Sequence, residues 1–305
     1  MEVSKEIVIP APLRNGDRVA IVSPASKIAP ELIDAAVGQL GREGFEPVVM
    51  PHAKGECGSF SASAEARVAD LRKALEDESI KGVLCSRGGY GAVHLLYELD
   101  RLPETMFHKW LIGFSDITAL HALWRRKGVA SLHAAMAKHI GRGAGGFACY
   151  EKEIGILRGG EAGFSCDAHK FNFNGSAGGR LVGGNLAVLG GLIGTRFDDI
   201  EPGCVLFLED IAEPIYKVER ILWQLRLRGV FDRLGGLLIG QFTEYRPSAD
   251  HASVEEMMER FFRPYSFPRA YGLPMGHIEE NAPLLLGATA HLEVADNGVK
   301  CGFEF

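Results

Sequence analysis

The sequence predicts an α/β protein whose N-terminal part is a parallel sheet with helices on its faces. The first observation is that short apolar runs alternate with amphipathic stretches from residue 18 onward. Strands that alternate with helices of this kind are typical of βα units. The second is composition: 47% of the 305 residues are hydrophobic and 24% are charged, which suits a globular protein with a large core. The length is that of about two ordinary domains.

The first half of the chain contains five predicted strands and four predicted helices. The predicted strands are Arg18–Val22, Pro47–Met50, Gly82–Cys85, Trp110–Phe114 and Val129–His133. The predicted helices are Pro30–Glu43, Ala62–Glu76, Ala92–Leu99 and Ile117–Arg126.

The alternation fails in residues 141–178, which are rich in glycine and polar residues. We therefore expect an N-terminal domain over residues 1–140, a linker over 141–178 and a smaller, mixed α/β domain over 179–305. The elements predicted in the last part are helices at Asn185–Gly194, Pro214–Leu227 and Ser253–Phe262, and strands at Val205–Glu209, Gly236–Gly240, Ala288–Val294 and Val299–Phe303.

Composition argues against several classes of partner. The formal net charge is −6, and Arg125–Lys127 is a short basic run at the end of a predicted helix, so no nucleic acid partner is expected. We see neither a secretory signal nor an apolar segment of about 18 residues, so we expect no membrane partner and a cytoplasmic location. The six cysteines form no C-x-x-C pair, which predicts a reducing compartment and no metal site.

Ser115 stands where a predicted buried strand gives way to a helix, in L-I-G-F-S-D-I-T (111–118). Sites in open α/β sheets gather at the carboxyl ends of strands. A serine on a tight strand–helix turn can act as a nucleophile, and the amides that open the helix can stabilise an oxyanion. The G-x-S-x-G pattern is incomplete, because Ile117 replaces its second glycine. A helix cap formed by Ser115 or Asp116 is therefore an open alternative.

A glycine-rich turn follows another predicted strand, in V-L-C-S-R-G-G-Y-G-A-V (83–93). Glycines let backbone N–H groups approach a phosphate or an oxyanion closely. The dinucleotide fingerprint G-x-G-x-x-G is incomplete, because His94 takes the place of its third glycine. We therefore expect an anion or oxyanion loop that faces the Ser115 turn, since both turns belong to one sheet.

Acidic residues end a third apolar strand, in V-L-F-L-E-D-I-A-E-P. Asp210 and Glu213 are consistent with ordinary capping of the next helix. Glu209 continues the buried run, and a buried carboxylate needs a partner to offset its desolvation. A histidine is one such partner.

Two of the ten histidines are serious candidates for a catalytic base. His133 follows a predicted strand in S-L-H-A-A-M. His277 lies in G-L-P-M-G-H-I-E-E-N-A-P, a Pro/Gly loop of the kind that often carries functional residues. Composition alone does not separate the two.

Taken together, these stretches resemble the LD-carboxypeptidases, a family that includes the microcin C immunity peptidases. They occur in the same order as in the family and are distributed along nearly the whole chain. They are G-D-R-V-A-I-V-S-P-A-S (16–26), S-R-G-G-Y-G-A (86–92), L-I-G-F-S-D-I-T (111–118), L-V-G-G-N-L (181–186), L-F-L-E-D-I-A-E-P-I-Y-K-V-E-R-I-L-W-Q-L (206–225) and L-P-M-G-H (273–277).

The resemblance implies a flavodoxin-like N-terminal domain and a smaller C-terminal domain. It also implies a serine peptidase with a Ser–His–Glu triad. Matched motif to motif, the nucleophile is Ser115, the base is His277 and its carboxylate partner is Glu209. No metal or organic cofactor is implied.

The family's oxyanion hole is built from backbone N–H groups. By position, these belong to Asp116 and to one glycine of the Arg87–Gly89 turn, either Gly88 or Gly89. Two such donors would stabilise the tetrahedral oxyanion, each by about 3 kcal/mol.

The resemblance also implies a substrate. LD-carboxypeptidases remove the terminal D-alanine from murein tetrapeptides in cell-wall recycling, so the expected partner is a small peptide, and the family suggests a homodimer. The microcin relatives instead cleave aminoacyl-nucleotide toxins and carry aromatic contacts for the nucleobase. Phe197 is the single aromatic residue in positions 187–200, which favours murein. The alternative from another class is a non-catalytic α/β protein whose glycine turn binds an anion.

Overall fold

The structure is a computed structural model that describes residues 6–142 and 149–304. Its strands are β1 (Arg18–Val22), β2 (Glu46–Val49), β3 (Ile80–Cys85), β4 (Trp110–Gly113), β5 (Ser131–His133), β6 (Gly163–Cys166), β7 (Gly175–Asn185), β8 (Val205–Ile211), β9 (Gly236–Thr243), β10 (Arg269–Ala270), β11 (Leu284–Leu286), β12 (Thr289–Ala295) and β13 (Gly298–Phe303). Its α-helices are α1 (Pro30–Arg42), α2 (Ala64–Glu76), α3 (Leu96–Leu99), α4 (Thr118–Arg126), α5 (Ala137–Ile140), α6 (Tyr150–Leu157), α7 (Leu186–Leu192), α8 (Ile215–Leu227) and α9 (Val254–Phe262).

The first unit of the chain, residues up to 161 together with 283–285, is built on a six-stranded sheet. Its strand order is β11-β5-β4-β3-β1-β2, and β2, β1, β3, β4 and β5 pair in parallel. The order β2-β1-β3-β4-β5 is that of flavodoxin-like folds. The α/β class predicted for this part of the chain is confirmed.

Burial explains why these residues form a parallel sheet. Every residue of β4 is buried, and so are five of the six residues of β3, as expected for strands covered on both faces. Helix α1 is amphipathic and buries Ile33, Ala36 and Leu40, which share one face at helical spacing. The parallel pairing brings the carboxyl ends of β3, β4 and β5 to one edge of the sheet.

The second unit, residues 162–282 and 286–304, contains a seven-stranded mixed sheet. Its strand order is β10-β9-β8-β7-β12-β13-β6. Strands β7, β8, β9 and β10 pair in parallel, whereas β12 and β13 pair with each other and with β7 and β6 in antiparallel fashion. An apolar cluster from β7, β8, β9, α7, α8 and α9 forms its core. The predicted mixed α/β class is confirmed here as well.

Residues 141–178, which the sequence predicts to be a linker, contain α6, β6 and the start of β7. Strand β7 is rich in glycine and therefore has no apolar alternation that a pattern could reveal. The packing of the sheet explains two of these glycines. A Cβ at Gly179 would overlap the carbonyl oxygen of Gly203, and a Cβ at Gly183 would overlap that of Phe207.

Membrane-spanning helices and metal-binding clusters were sought in residues 6–142 and 149–304. No helix in these ranges is both long and apolar enough to cross a bilayer. No three His, Cys, Asp or Glu side chains converge there as a set of metal ligands. All six cysteines are free thiols.

Candidate active site

Ser115 has a left-handed backbone conformation at the carboxyl end of β4. Its φ angle is 65°, in a region that residues with a Cβ rarely adopt and that is enriched at functional sites. Ser115 opens a single 3-10 turn, Ser115–Ile117, which leads into α4. The N-cap residues of this turn and of α4 are Phe114 and Ile117. The alternative in which Ser115 caps the helix is therefore not realised.

The glycine turn after β3 lies directly against Ser115. A Cβ on Gly88 would lie 2.8 Å from the Cβ of Ser115 and 2.9 Å from its Oγ. The same position is 3.2 Å from the backbone nitrogen of Asp116. Gly89 has a φ of 102°, and a Cβ there would overlap the hydroxyl of Ser26 instead. Gly88 is thus the glycine whose missing side chain makes room for Ser115.

Asp116 links the two turns through its side chain. The carboxylate is buried, and its Oδ2 accepts a hydrogen bond from the backbone N–H of Ala92 (2.8 Å). Burial raises the pKa of Asp116, and the hydrogen bond from Ala92 and the charges of His94 and Arg67 oppose this rise. Asp116 therefore holds the start of a second 3-10 segment, Ala92–Leu95, which follows the glycine turn. Its own backbone N–H lies beside Gly88.

The first unit holds two completely buried histidines close to β4. His121 Nε2 lies 2.9 Å from the carbonyl oxygen of Gly113, and its Nδ1 lies 2.8 Å from Ser131 Oγ. Burial lowers the pKa of His121 to about 3, so the ring is neutral and donates its Nε2–H to the carbonyl. The ring of His133 packs against that of Phe114, with centroids 5.5 Å apart. Both histidines belong to the interior of this unit.

Glu209 and His277 form a hydrogen-bonded pair in the second unit. Glu209 Oε2 lies 2.7 Å from Nδ1 of His277, although the residues are 68 positions apart. The Glu209 side chain is 0% exposed and that of His277 is 17% exposed. A carboxylate accepts hydrogen bonds, so Nδ1 carries the proton and Nε2 is the basic nitrogen of the neutral ring. Within the described residues, Glu209 Oε1 has no hydrogen-bond partner, so the hydrogen bond from His277 to Oε2 is what offsets the burial of this carboxylate.

The pairing of β8 with β9 is irregular at Glu209, because β9 has one extra residue there. Leu208 pairs with Ile239 of β9, but Asp210 pairs with Phe242, so the register shifts at Glu209. Bulges of this kind bend a strand and redirect a side chain, and they are frequent next to active sites. The extra residue of β9 lies opposite Glu209, which stays in register with Asn185 of β7.

The loop that carries His277 is attached to β9 and closes tightly over Glu209. The carbonyl of Met275 accepts a hydrogen bond from the backbone of β9 (2.8 Å). Gly276 has a φ of 120°, and a Cβ there would lie 3.0 Å from Glu209 Oε2. The N–H of Gly276 donates to Oδ1 of Asn281 (2.8 Å), which is buried. Asn281 is not among the residues predicted from the sequence; its position in the same polar loop as His277 was the available signal.

Comparison with known proteins identifies the family. Residues 19–134 match the LD-carboxypeptidase N-terminal domain, and residues 178–292 match the LD-carboxypeptidase C-terminal domain. A murein tetrapeptide carboxypeptidase of Pseudomonas aeruginosa is 32% identical over 290 residues, which cover 90% of this chain and 93% of that protein. The chain belongs to the LD-carboxypeptidase family. The resemblance predicted from the motifs is confirmed, and membership supports a hydrolase.

Solved structures share the fold. The crystal structure of muramoyltetrapeptide carboxypeptidase from Oxalobacter formigenes has a TM-score of 0.86 and 26% sequence identity, covering 94% of this chain and 99% of that one. The microcin C7 self immunity protein MccF in its wild-type apo state has a TM-score of 0.85 and 22% identity, covering 98% and 99%. At that identity MccF shows the common fold alone.

In this LD-carboxypeptidase family member, the other two acids of the β8 segment have separate structural partners. Asp210 does not cap the following helix. Its Oδ1 accepts from Asn185 Nδ2 (2.8 Å), and its Oδ2 accepts from an N–H in the first turn of α7 (2.9 Å). Burial, together with the charge of Glu209, raises the pKa of Asp210 to about 6. Glu213 forms an ion pair with Lys217 (3.4 Å). The acid that contacts a histidine is therefore Glu209.

Proposed function

We propose that this protein is a serine carboxypeptidase that cleaves the L,D-peptide bond before the terminal D-alanine of murein tetrapeptides. The proposed triad is Ser115, His277 and Glu209. The 2.7 Å hydrogen bond between His277 and the buried Glu209 carries the proposal. It supports one imidazole and one carboxylate where composition left alternatives open.

The roles follow from the chemistry of each group. His277 Nε2 would take the proton of Ser115 as Oγ attacks the scissile carbonyl carbon, and would then deliver it to the departing amine of D-alanine. Water would release the acyl group from Ser115 by the same proton transfers. The buried carboxylate of Glu209 holds the ring in the required tautomer and stabilises the imidazolium that forms. The proposal requires the imidazole to reach the Ser115 hydroxyl in the working enzyme.

We assign the oxyanion hole to backbone groups beside Ser115. The N–H of Asp116 and one N–H of the Gly88–Gly89 pair are the proposed donors. The contact distances of a Cβ at Gly88 support this, because they place its Cα next to both Ser115 Oγ and the Asp116 nitrogen. Such donors stabilise charge that develops only in the transition state.

Two observations favour a murein peptide as the substrate. The Pseudomonas aeruginosa and Oxalobacter formigenes relatives are named as murein tetrapeptide and muramoyltetrapeptide carboxypeptidases. Phe197, the single aromatic residue of positions 187–200, is 8% exposed, so its ring is not available to stack on a nucleobase. We place the reaction in the cytoplasm, in murein recycling, which is consistent with free cysteines in a reducing compartment.

The test is Ser115→Ala assayed with murein tetrapeptide and with an aminoacyl nucleotide, with product analysis. We expect the unaltered protein to release D-alanine from the tetrapeptide and the variant to release it no faster than the uncatalysed reaction. Circular dichroism and the melting temperature should show that the variant keeps its fold. Ser63→Ala is the matched control. Ser63 caps α2 by accepting from Ala66 N–H, so this change should cost about 1 kcal/mol of stability and leave activity in place.

Two outcomes would contradict the proposal. If Ser115→Ala and the unaltered protein both bind the peptide without hydrolysing it, the non-catalytic binding protein is the better description. If the aminoacyl nucleotide is cleaved in preference to the tetrapeptide, the substrate assignment is wrong although the hydrolase stands.

A further inference from the structure

Two cations lie beside the turn that faces the proposed nucleophile. Arg87 directly precedes Gly88, which lies against Ser115, and a guanidinium nitrogen of Arg87 is 3.8 Å from where a Cβ of Gly89 would be. Lys138 joins the same turn, because its backbone N–H donates to the carbonyl of the residue before Arg87 (2.8 Å). Both residues therefore lie at the carboxyl edge of the first sheet, on the turn whose Gly88 contacts Ser115.

Neither the Arg87 nor the Lys138 side chain forms an ion pair with a carboxylate of the described residues, 6–142 and 149–304. Arg87 donates one hydrogen bond, to the carbonyl of Lys27 (3.1 Å). Other cations of this unit differ. The ammonium of Lys109 donates to two backbone carbonyls (2.8 and 2.6 Å), and that of Lys127 donates to two others (2.6 and 2.9 Å).

The surroundings of Lys138 are complementary to a bound anion. Burial lowers the pKa of Lys138, and the positive charges of Arg87 and Arg142 lower it further. Like charges at close range destabilise one another, and an anion between them would reverse the effect. This neighbourhood therefore favours a negatively charged group from a ligand.

A carboxypeptidase substrate brings a negative charge to this place. Three covalent bonds separate the scissile carbonyl carbon from the terminal carboxylate carbon, a span of about 3 to 4 Å. If Ser115 attacks that carbonyl, the carboxylate lies within a few ångströms of the turn that holds Arg87. A guanidinium can bind a carboxylate with two parallel hydrogen bonds, and an ammonium adds a third donor.

We propose that Arg87 and Lys138 bind the terminal carboxylate of the D-residue that is released, and so make the enzyme a carboxypeptidase rather than an endopeptidase. The inference rests on the proposed function for the identity of the ligand. It assigns specificity to two side chains that take no part in the proton transfers of the triad.

The experiment measures binding in a chain that cannot turn over. With Ser115→Ala as the background, isothermal titration calorimetry would compare a tetrapeptide ending in D-alanine with the same peptide ending in D-alaninamide. We expect the free acid to bind about 10-fold to 100-fold more tightly, the range expected for one charge-assisted interaction. Adding Arg87→Gln and Lys138→Met should make the two peptides bind equally.

Conservative and distant variants serve as controls. Arg87→Lys with Lys138→Arg keeps both charges and should retain part of the preference for the acid. Arg101→Gln removes a cation of the same unit that pairs with Glu98 on the surface (3.6 Å), and it should leave the preference unchanged. In chains that keep Ser115, loss of the two cations should raise KM for the acid more than it lowers kcat.

The outcomes separate this inference from the proposed function. Equal binding of acid and amide to the Ser115→Ala chain, or a preference that survives loss of both cations, overturns the carboxylate site. If the preference is present and disappears with the two cations, but the unaltered protein releases no D-alanine, the carboxylate site stands and the proposed hydrolysis fails.

Discussion

The close contact at Ser115 is one of backbone shape, whereas the close contact at His277 is a hydrogen bond between two side chains. In the first unit, Ser115 has a φ of 65° and Gly88 lacks the side chain that would collide with it. In the second unit, a buried carboxylate holds an imidazole at 2.7 Å, and Asn281 holds the loop.

The two contacts should be sensitive to different kinds of substitution. The contact at Ser115 should be sensitive to an increase in side-chain volume, because a methyl group added at Gly88 has to displace the nucleophile. A site built from a buried hydrogen bond is damaged by a change of charge at constant volume. The histidines of the two units also differ, in the group that accepts their N–H. His121 is neutral and donates to a carbonyl, whereas His277 donates to a carboxylate that can stabilise its protonated form.

The largest expected effect is that of Glu209→Gln, which preserves volume and removes charge. We expect kcat to fall about 1,000-fold to 10,000-fold with a smaller change in KM, because the ring loses both its fixed tautomer and its counter-charge. The fold should survive, since a neutral amide is cheaper to bury than a carboxylate. Steady-state kinetics of D-alanine release would measure this.

Glu213→Gln is the matched control for that change. It neutralises an acid four positions further along, which pairs with Lys217, and kcat should stay within a factor of about 2 because surface ion pairs contribute little. A Glu209→Gln enzyme that turns over normally would remove Glu209 from the triad and return attention to Asp210.

The next effect in size is that of Gly88→Ala, which adds volume and no charge. The new Cβ would lie 2.8 Å from the Cβ of Ser115 and 2.9 Å from its Oγ, so Ser115 has to move. We expect kcat/KM to fall about 100-fold, the scale reported for a misplacement of about 1 Å. Gly41→Ala in α1 is the control, since a Cβ there meets no atom within 4 Å. Equal activity of the two variants would contradict the close approach of Gly88 to the nucleophile.

The smallest effect concerns stability and the strain at Ser115. Glycine adopts a left-handed conformation without the steric penalty of a Cβ, so Ser115→Gly should be about 1 kcal/mol more stable than Ser115→Ala. Urea denaturation of both variants measures the difference in the free energy of unfolding. Ala212→Gly, at a φ of 60° in the second unit, should give a gain of similar size. A Ser115→Gly chain less stable than Ser115→Ala would show that the turn is not strained.

Periodicity was sufficient for most elements of the fold. Strand β1 was predicted with its observed bounds, and α8 differs from its prediction by one residue, because their apolar residues recur at the spacing of a buried strand and of a helix. The glycine-rich β7 was not predicted, since its place in the sheet depends on backbones from β8 and β12 that come close to it. The stretch predicted as helix Ala92–Leu99 begins with a 3-10 segment, Ala92–Leu95.

The sequence by itself determined the α/β class, the family and the junctions at which polar residues follow buried strands, because each of these is written in local spacing and motif order. Composition left open which histidine pairs with Glu209, because His133 and His277 have equally plausible local settings, and the family resemblance then pointed to His277. Only the tertiary structure shows the contact itself, in which the end of β8 and a loop 68 positions away come into hydrogen-bonding distance. The left-handed conformation of Ser115 was likewise not visible in the sequence, because residues with a Cβ rarely adopt it by their own preference. The catalytic roles of Ser115, His277 and Glu209, and of the N–H groups of Asp116, Gly88 and Gly89, stay predictions that the experiments above address.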